Sequence, residues 1–567
     1  MGRKTRQAII GAGIAVGIVV FVALFILIKT FTPSKERMAL DDYFDTKEDE
    51  FAVIMRDHIY EKSGLLIDEH AYIDYDTVIE ECNNRFYWDS NENILTYTTP
   101  NEVIRAEVGS SDYTINKSKN SLGYPIVKTN GDQVYVALEY VKLFSDIKYE
   151  IFEEPKRIVF QYVSGEHLYT KTKKATQLRF EPSIKSPILK DLPKDEKLLL
   201  VDVGVETSKK FTKVITSDGI IGYVQNKMIT SSEYETLTSD FQKPTYTHIE
   251  KDYKVNLVWH QVTNQDANNN LSRLLENTKG ITTVSPTWFS VNNSKGGISS
   301  LASQSYVDRA HDLGLEVWAL VDDFNKDVKL IDVLSYTSRR EKLINQLVAE
   351  VIKYNIDGIN IDFERITADS AIHYIQFLRE LSIKCRSNGI VLSIDNYVPA
   401  AYNKFYNRAE QGEIADYVIV MGYDEHHGNS ETSGSVSSIP FFEEGLVNTL
   451  KEVPKERVIM GMPFYTRIWV ETTKDDKTTV TSSAWSMEES EKNMTQNGAK
   501  KEWDEKTGQY YAEYKKDGKV YKCWLEDERS IESRMKIIND HEVAGVAAWR
   551  LGLESSSIWN TIIKYVN

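Results

Sequence analysis

From residue 254 onward, apolar runs of strand length alternate with segments of helical period. This alternation restricts the architecture more than any other feature of the chain. The runs are 255–259, 282–286, 316–321, 358–363, 390–394, 417–421, 458–462 and 545–549. Between them lie segments such as Leu343, Ile344, Leu347, Val348, Val351 and Ile352, whose spacing puts them on one helical face. A repeated strand–helix pattern favours parallel strands joined by crossovers. Eight such units across 254–567 predict an α/β fold, a closed (β/α)8 TIM barrel. The interval between Met462 and Gly545 is too long for an ordinary crossover. It contains Lys501-Glu502-Trp503-Asp504, Tyr511-Ala512-Glu513-Tyr514 and Lys522-Cys523-Trp524-Leu525, with an Asp517-Gly518 turn. It is read as a small α+β insertion at about 470–535, walling one side of a cleft.

The fourth run carries the chemistry. In Ile356-Asp357-Gly358-Ile359-Asn360-Ile361-Asp362-Phe363-Glu364 the side chains alternate, so Asn360, Asp362 and Glu364 share one face and Ile359, Ile361 and Phe363 the other. Both faces of a parallel barrel strand are covered, so the acidic face points into the lumen. Two unpaired carboxylates there cost several kcal/mol if ionised. A fold does not need that arrangement, whereas catalysis can use it. Glu364 ends its strand, and barrel active sites are built at that end. Asp362 and Glu364, ~6.6 Å apart by strand rise, approach a substrate from the same side.

This nine-residue segment matches hydrophobic–Asp–Gly–hydrophobic–(Asp or Asn)–hydrophobic–Asp–x–Glu, and over 254–567 the chain resembles glycoside hydrolase family 18. The resemblance is to its chitinase-like, spore-cortex and cell-wall N-acetylglucosaminidase members. It implies substrate-assisted retention, in which the 2-acetamido oxygen of the sugar attacks to give an oxazolinium ion. It implies Glu364 as general acid and then base, and Asp362 as the group that binds the acetamido N–H. Tyr423, in Met421-Gly422-Tyr423-Asp424, would donate to the acetamido oxygen. Asp424, Trp549, Asn360 and Trp259 are expected to bind the substrate, and Asp357 to play a supporting structural part. Burial and a neighbouring like charge should keep Glu364 protonated near neutrality. Many chitinases have Asp where Asn360 stands. Asn cannot share a proton, so Asp362 is expected to stay ionised and the pH profile to differ.

Charge and composition limit the partners. Acidic residues outnumber basic ones 84 to 68, a net charge of −16, which argues against a nucleic-acid surface. Cys82, Cys385 and Cys523 are too scattered for a disulfide framework or a zinc site. Neither a cofactor nor a metal is called for, since the side chains of adjacent His426 and His427 diverge and no ligand-spaced carboxylate follows.

Residues 8–28 are uncharged and mostly apolar and follow Arg3, Lys4 and Arg6. At ~1.5 Å per residue they span ~30 Å, the thickness of a bilayer core. They read as an uncleaved anchor, with residues 1–7 cytoplasmic and the rest outside. Residues 29–69 read as a charged, helix-like stalk. Over 70–165 an internal repeat pairs Ala71-Tyr72-Ile73, Phe86-Tyr87-Trp88-Asp89 and Ile94-Leu95-Thr96-Tyr97 with Val134-Tyr135-Val136, Lys148-Tyr149-Glu150 and Ile158-Val159-Phe160. Each copy reads strand, short helix, strand, strand, and the module resembles the copper amine oxidase N-terminal domain; no His or Cys cluster here would hold copper. Residues 166–231 have short strands, one of them at 198–203, and close on Asp218-Gly219-Ile220-Ile221-Gly222-Tyr223-Val224. They resemble a bacterial SH3-like β-barrel, which implies wall peptide as a ligand. Residues 232–253 read as a linker.

Together these readings give a membrane-anchored extracellular hydrolase of N-acetylglucosamine polymers. Peptidoglycan is favoured by the modular architecture. A chitinase acting on chitin oligomers and a non-catalytic wall-binding lectin or scaffold are the alternatives.

Overall fold

The computed structural model describes residues 2–47, 49–201 and 210–566. They fall into two compact units. One comprises Met1–Phe86, Ala106–Tyr113 and Lys119–Lys243; the other comprises Tyr87–Arg105, Thr114–Ser118 and Pro244–Asn567.

The first unit begins with the helix Arg3–Phe31. Its Ile9–Phe31 part has a mean hydropathy of 2.9, is nowhere buried, and is long and apolar enough to cross a membrane. The expected stalk at 29–69 is not one. The short helix Leu40–Phe44 is present, but Glu50–Met55 is a strand that pairs in parallel with Lys156–Gln161 and antiparallel with Gly64–Ile67. Phe51, Ala52, Val53, Ile54 and Met55 are all buried. Five consecutive apolar residues fill a strand covered on both faces, a pattern that a short run shares with a buried helix.

The second sheet of this unit is seven-stranded. In order it contains Ile188–Leu192, Thr176–Arg179, Ile221–Gln225, Phe211–Ile215, Lys197–Leu200, Gly165–Lys171 and Glu233–Leu237. Glu233–Leu237 lies in the expected linker and instead pairs with Gly165–Lys171, so the linker reading is corrected there. The strand expected at 198–203 is seen as Lys197–Leu200, and positions 202–203 lie outside the described residues.

Both copies of the repeat run strand, helix, strand, strand. The first is His70–Asp74, the helical turns Tyr75–Thr77 and Val78–Cys82, then Tyr87–Asp89 and Ile94–Thr98. The second is Gln133–Ala137, Leu138–Phe144, Lys148–Glu153 and Lys156–Gln161. The hairpin Tyr87–Thr98 of the first copy belongs to the second unit.

The second unit is built on eight parallel strands: β1 Val255–His260, β2 Thr283–Asn293, β3 Glu316–Asp322, β4 Gly358–Asp362, β5 Val391–Tyr397, β6 Tyr417–Met421, β7 Val458–Pro463 and β8 Gly545–Trp549. Neighbours pair in sequence order, and β1 pairs with both β2 and β8, which closes the barrel. Alternation sorts the side chains. Leu257, Trp259, Trp318, Leu320, Val391 and Tyr417 pack in the lumen, whereas Val258, Ile359, Ile361, Phe363 and Ile394 pack in the outer core. Trp318 stacks on Tyr417 with ring centroids 5.3 Å apart. A Cβ on Gly358 would meet the Trp318 ring at 2.8 Å, so the lumen tryptophan explains the glycine that follows Asp357.

Between β7 and β8 a five-stranded antiparallel sheet spans Tyr465 to Leu525, with the helix Met487–Gln496. The hairpin Tyr87–Thr98 is wired to the barrel's helical layer. Thr337 donates its backbone N–H and its hydroxyl to Asp89 Oδ2, each at 2.6 Å, which caps the helix Thr337–Tyr354. Arg340 of that helix donates to Tyr87 Oη and ion-pairs with Glu380 at 3.1 Å, the arginine and glutamate side chains 0% and 3% exposed.

Candidate active site

The site forms where strand ends converge. On β4, Asn360 is fully buried, Asp362 is 6% exposed and Glu364, just past the strand, is half-buried. The register continues this row sideways. Asp322 of β3 is paired with Asp362, and Ile361 with Ile394 of β5, which sets Asp395 beside Asp362 one step further on. Three carboxylates from three neighbouring strands therefore lie abreast, with backbones ~4.8 Å apart.

Asn360 is a clamp and does not face a ligand. Its Oδ1 accepts from Trp259 Nε1 at 2.9 Å and from Ser285 Oγ at 3.2 Å. Its Nδ2 donates to Asp395 Oδ1 at 2.8 Å and to Ser393 Oγ at 3.1 Å. Trp259 is 1% exposed and lies in the lumen, edge-on to Tyr423 (centroids 6.4 Å apart) and tilted against Trp549 (6.1 Å). Asn360 and Trp259, both expected to bind the substrate, are buried in the lumen in this structure and hydrogen-bonded to each other. Asp357 accepts from His311 Nε2 and from the Val317 backbone N–H, each at 2.8 Å, at the opposite end of β4.

Glu364 Oε2 accepts from Tyr397 Oη. Burial raises the Glu364 pKa, the hydroxyl of Tyr397 opposes that, and Asp323, Asp424 and Asp322 push it further up. Asp323 accepts from the backbone N–H groups of Glu364 and Arg365, at 3.1 and 2.9 Å, and so holds the turn that carries the glutamate. Burial, partly offset by those two bonds, moves its own pKa up to about 6. The direction of the Asp362 shift runs against the expectation that it stays ionised. Its Oδ1 is buried without a hydrogen-bond partner, and burial, then Asp395 and Glu364, raises its pKa well above the ordinary carboxylate range. The physical reason is that the Asn360 amide is spent on Asp395 and Ser393, and no cation compensates.

Tyr423 follows β6 and is half-buried; its pKa is raised by burial and by Asp395 and Asp362. Asp424 next to it is exposed, with φ at +59°, and accepts from Tyr465 Oη at 2.5 Å. The inserted sheet braces this loop: Trp469 Nε1 donates to Gly434 O at 2.8 Å. Trp549 ends β8, half-buried, and with Asp362, Asp322 and Trp288 it lines a cavity of about 250 Å³. The structure thus brings Asp362, Glu364, Tyr423, Asp424 and Trp549 to one end of the barrel.

Asp323, Asp395, Tyr397 and Tyr465 also belong to the site and were not among the expected residues. For Asp395 and Tyr397 the signal was there, since Ser393, Asp395 and Tyr397 alternate on one face of the β5 run. Among the described residues no group of three or more His, Cys, Asp or Glu is arranged to hold a metal ion. His426 Nδ1 engages Ser435 O, and His427 Nδ1 accepts from the Asn429 N–H.

Comparison with known proteins fits this geometry. The family model "Glycosyl hydrolases family 18" matches residues 220–554, and "Copper amine oxidase N-terminal domain" matches 56–156. The chain is 28% identical over 265 residues to the uncharacterized glycosylase YvbX of Bacillus subtilis, covering 44% of this chain and 75% of that one. It is 24% identical over 227 residues to the cortical fragment-lytic enzyme of the same organism, covering 39% and 52%. The crystal structure of the Bacillus cereus spore cortex-lytic enzyme SleL shares the fold, with a TM-score of 0.50 and 18% identity over 59% of this chain and 79% of that one. With more than half of its length matched by the family model, the chain belongs to glycosyl hydrolase family 18 and is a glycoside hydrolase.

Proposed function

We propose that this hydrolase cleaves β-1,4 bonds beside N-acetylglucosamine in peptidoglycan, with retention, through attack by the substrate's own acetamido oxygen. The observation that carries the reading is the placement of Asp362, Glu364 and Tyr423 at one barrel mouth. In this reading Glu364, held up in pKa by burial and surrounding acids, protonates the leaving oxygen and later deprotonates water. Asp362 accepts the acetamido N–H and stabilises the positive ring, and Tyr423 donates to the acetamido oxygen. Asp424 contacts the sugar, and Trp549 offers its face to it. The helix Ile9–Phe31 anchors the chain in the membrane, with the barrel outside and the module at 166–231 available to wall peptide. Peptidoglycan is preferred because an anchor and upstream modules would hold the barrel at the wall, and because the relatives include proteins named for lysis of spore cortex.

The test is incubation of the detergent-solubilised full chain, intact and as Glu364→Gln, with purified peptidoglycan and with chitin oligomers. New reducing ends from peptidoglycan, lost in the variant by ~10²-fold or more, support the proposal. Reducing ends from chitin alone identify a chitinase, and none from either polymer identifies a lectin.

A further inference from the structure

The lumen charge has an unusual layout. Asp362 and Asp395 stand on adjacent parallel strands at neighbouring register positions, and both are buried, at 6% and 2% exposure. One is satisfied and the other is not. Burial pushes both carboxyls well up; at Asp395 the Asn360 amide on Oδ1, at 2.8 Å, opposes that push, whereas Asp362 Oδ1 is buried with no partner. An unpartnered buried carboxylate oxygen is far less costly on a neutral acid than on an anion. Two buried carboxyls side by side on neighbouring strands do not both ionise readily.

The surroundings supply no cation. Asp322 and Asp323 face the pair from β3 and the turn after it, Glu364 from beyond β4, Tyr397 from β5, and Tyr423 from beyond β6; Tyr374 and Tyr406 lie behind. Arg365 turns instead to the carbonyls of Asp323 and Asn325. Among the described residues no lysine, arginine or histidine forms an ion pair with Asp362, Asp395 or Glu364.

We infer that Asp395 is the proton partner of Asp362: the two hold one proton between them, with Asn360 fixing Asp395 as the ionised member in the empty site. This rests on the catalytic reading above and extends it. When an acetamido group arrives and positive charge develops, the O–H bond at Asp362 breaks and one forms at Asp395. Asp362 is left anionic beside the positive ring, and the net charge of the pair is unchanged. Asp395 is thus a positioning residue that acts through Asp362, and Asn360 sets which of the two acids starts with the proton.

Reciprocal titration tests this. Infrared difference spectra of the full chain with labelled Asp carboxyls, recorded across pH, report buried protonated acids. Asp395→Asn is expected to lower the midpoint of Asp362, and Asp362→Asn that of Asp395, each by about one pH unit or more. Asn360→Ala is expected to raise the Asp395 midpoint, and it serves as an independent reading should Asp395→Asn fail to fold. The kcat/KM profile of Asp395→Asn on N-acetylglucosamine oligomers should shift its acidic limb downward, which a purely structural role would not do. Midpoints that ignore the partner substitution overturn the inference. Full activity in Glu364→Gln would instead sink the catalytic reading and leave the coupled pair standing or falling on its spectra.

Discussion

Tyr397→Phe removes one hydrogen bond and little else, and its consequence has a definite sign. Tyr397 donates to Glu364 Oε2, and a donated hydrogen bond favours the carboxylate over the acid. The hydroxyl therefore holds the Glu364 pKa below the level that burial and Asp323 would set. A hydrogen bond to a charged group contributes ~1.5–3 kcal/mol, and each pH unit is ~1.4 kcal/mol. Glu364 is half-buried, so water replaces part of the bond and the lower end applies, about one pH unit. A general acid works while protonated, so its pKa sets the alkaline limb of kcat/KM. In Tyr397→Phe that limb should move up by about one unit, while the plateau falls less than it does in Glu364→Gln. The assay is initial-rate hydrolysis of chromogenic N-acetylglucosamine oligomers across pH. A limb that stays in place or moves down refutes the assignment of either the hydrogen bond or the acid.

Three further outcomes are expected. Asp362→Asn should stabilise the protein at pH 7 by a few degrees in Tm and lose that advantage toward pH 4. The folded Asp362 pKa is raised, so native stability is fully present below the unfolded pKa near ~3.9 and falls as pH climbs toward the folded value, a loss the amide does not suffer. Thermal scans at several pH values read this. Asp89→Ala should cost about 1–2 kcal/mol in urea unfolding, because Asp89 caps the helix Thr337–Tyr354 from the distant hairpin; equal stability would show that the hairpin is not part of the barrel unit. Deleting residues 1–31 should move the protein from the detergent phase to the aqueous phase while glycoside hydrolase activity is kept, and detergent-phase partition of the deletion would remove the anchor.

The legible parts of the molecule are those where one physical requirement leaves one pattern. Parallel strands covered on both faces must be apolar runs, so all eight barrel strands were readable. Asp362 and Glu364 stood out because a lumen-facing acid conflicts with that requirement. Phe51–Met55 was read as helical because five apolar residues carry no period, and only pairing with Lys156–Gln161 makes them a strand. Trp259 and Trp549 both end apolar runs, so position in the sequence does not separate them. Packing does: Trp259 is sealed beneath Asn360 and Tyr423, and Trp549 lines the cavity. Asp395 is hard to single out in the sequence because one acid in Val391–Tyr397 looks like ordinary alternation until the register sets it beside Asp362.

How the barrel treats its other buried charges gives the acid cluster its meaning. Glu380 has Arg340 on Oε1 and Arg105 on Oε2, Glu526 has both oxygens on Arg534, and Glu410 has Arg379 at 2.8 Å. The chain can therefore neutralise a buried carboxylate, and does so where the only demand is packing. At the mouth it places Asp322, Asp323, Asp362, Glu364 and Asp395 together and supplies amides, hydroxyls and backbone N–H groups in place of cations. A guanidinium there would hold every carboxylate ionised, which on the proposed mechanism leaves no acid to protonate a leaving oxygen and no unpaired anion to face a positive ring. Withholding it costs stability, and that cost is the reason substitution of Asp362 is expected to raise Tm while lowering the rate.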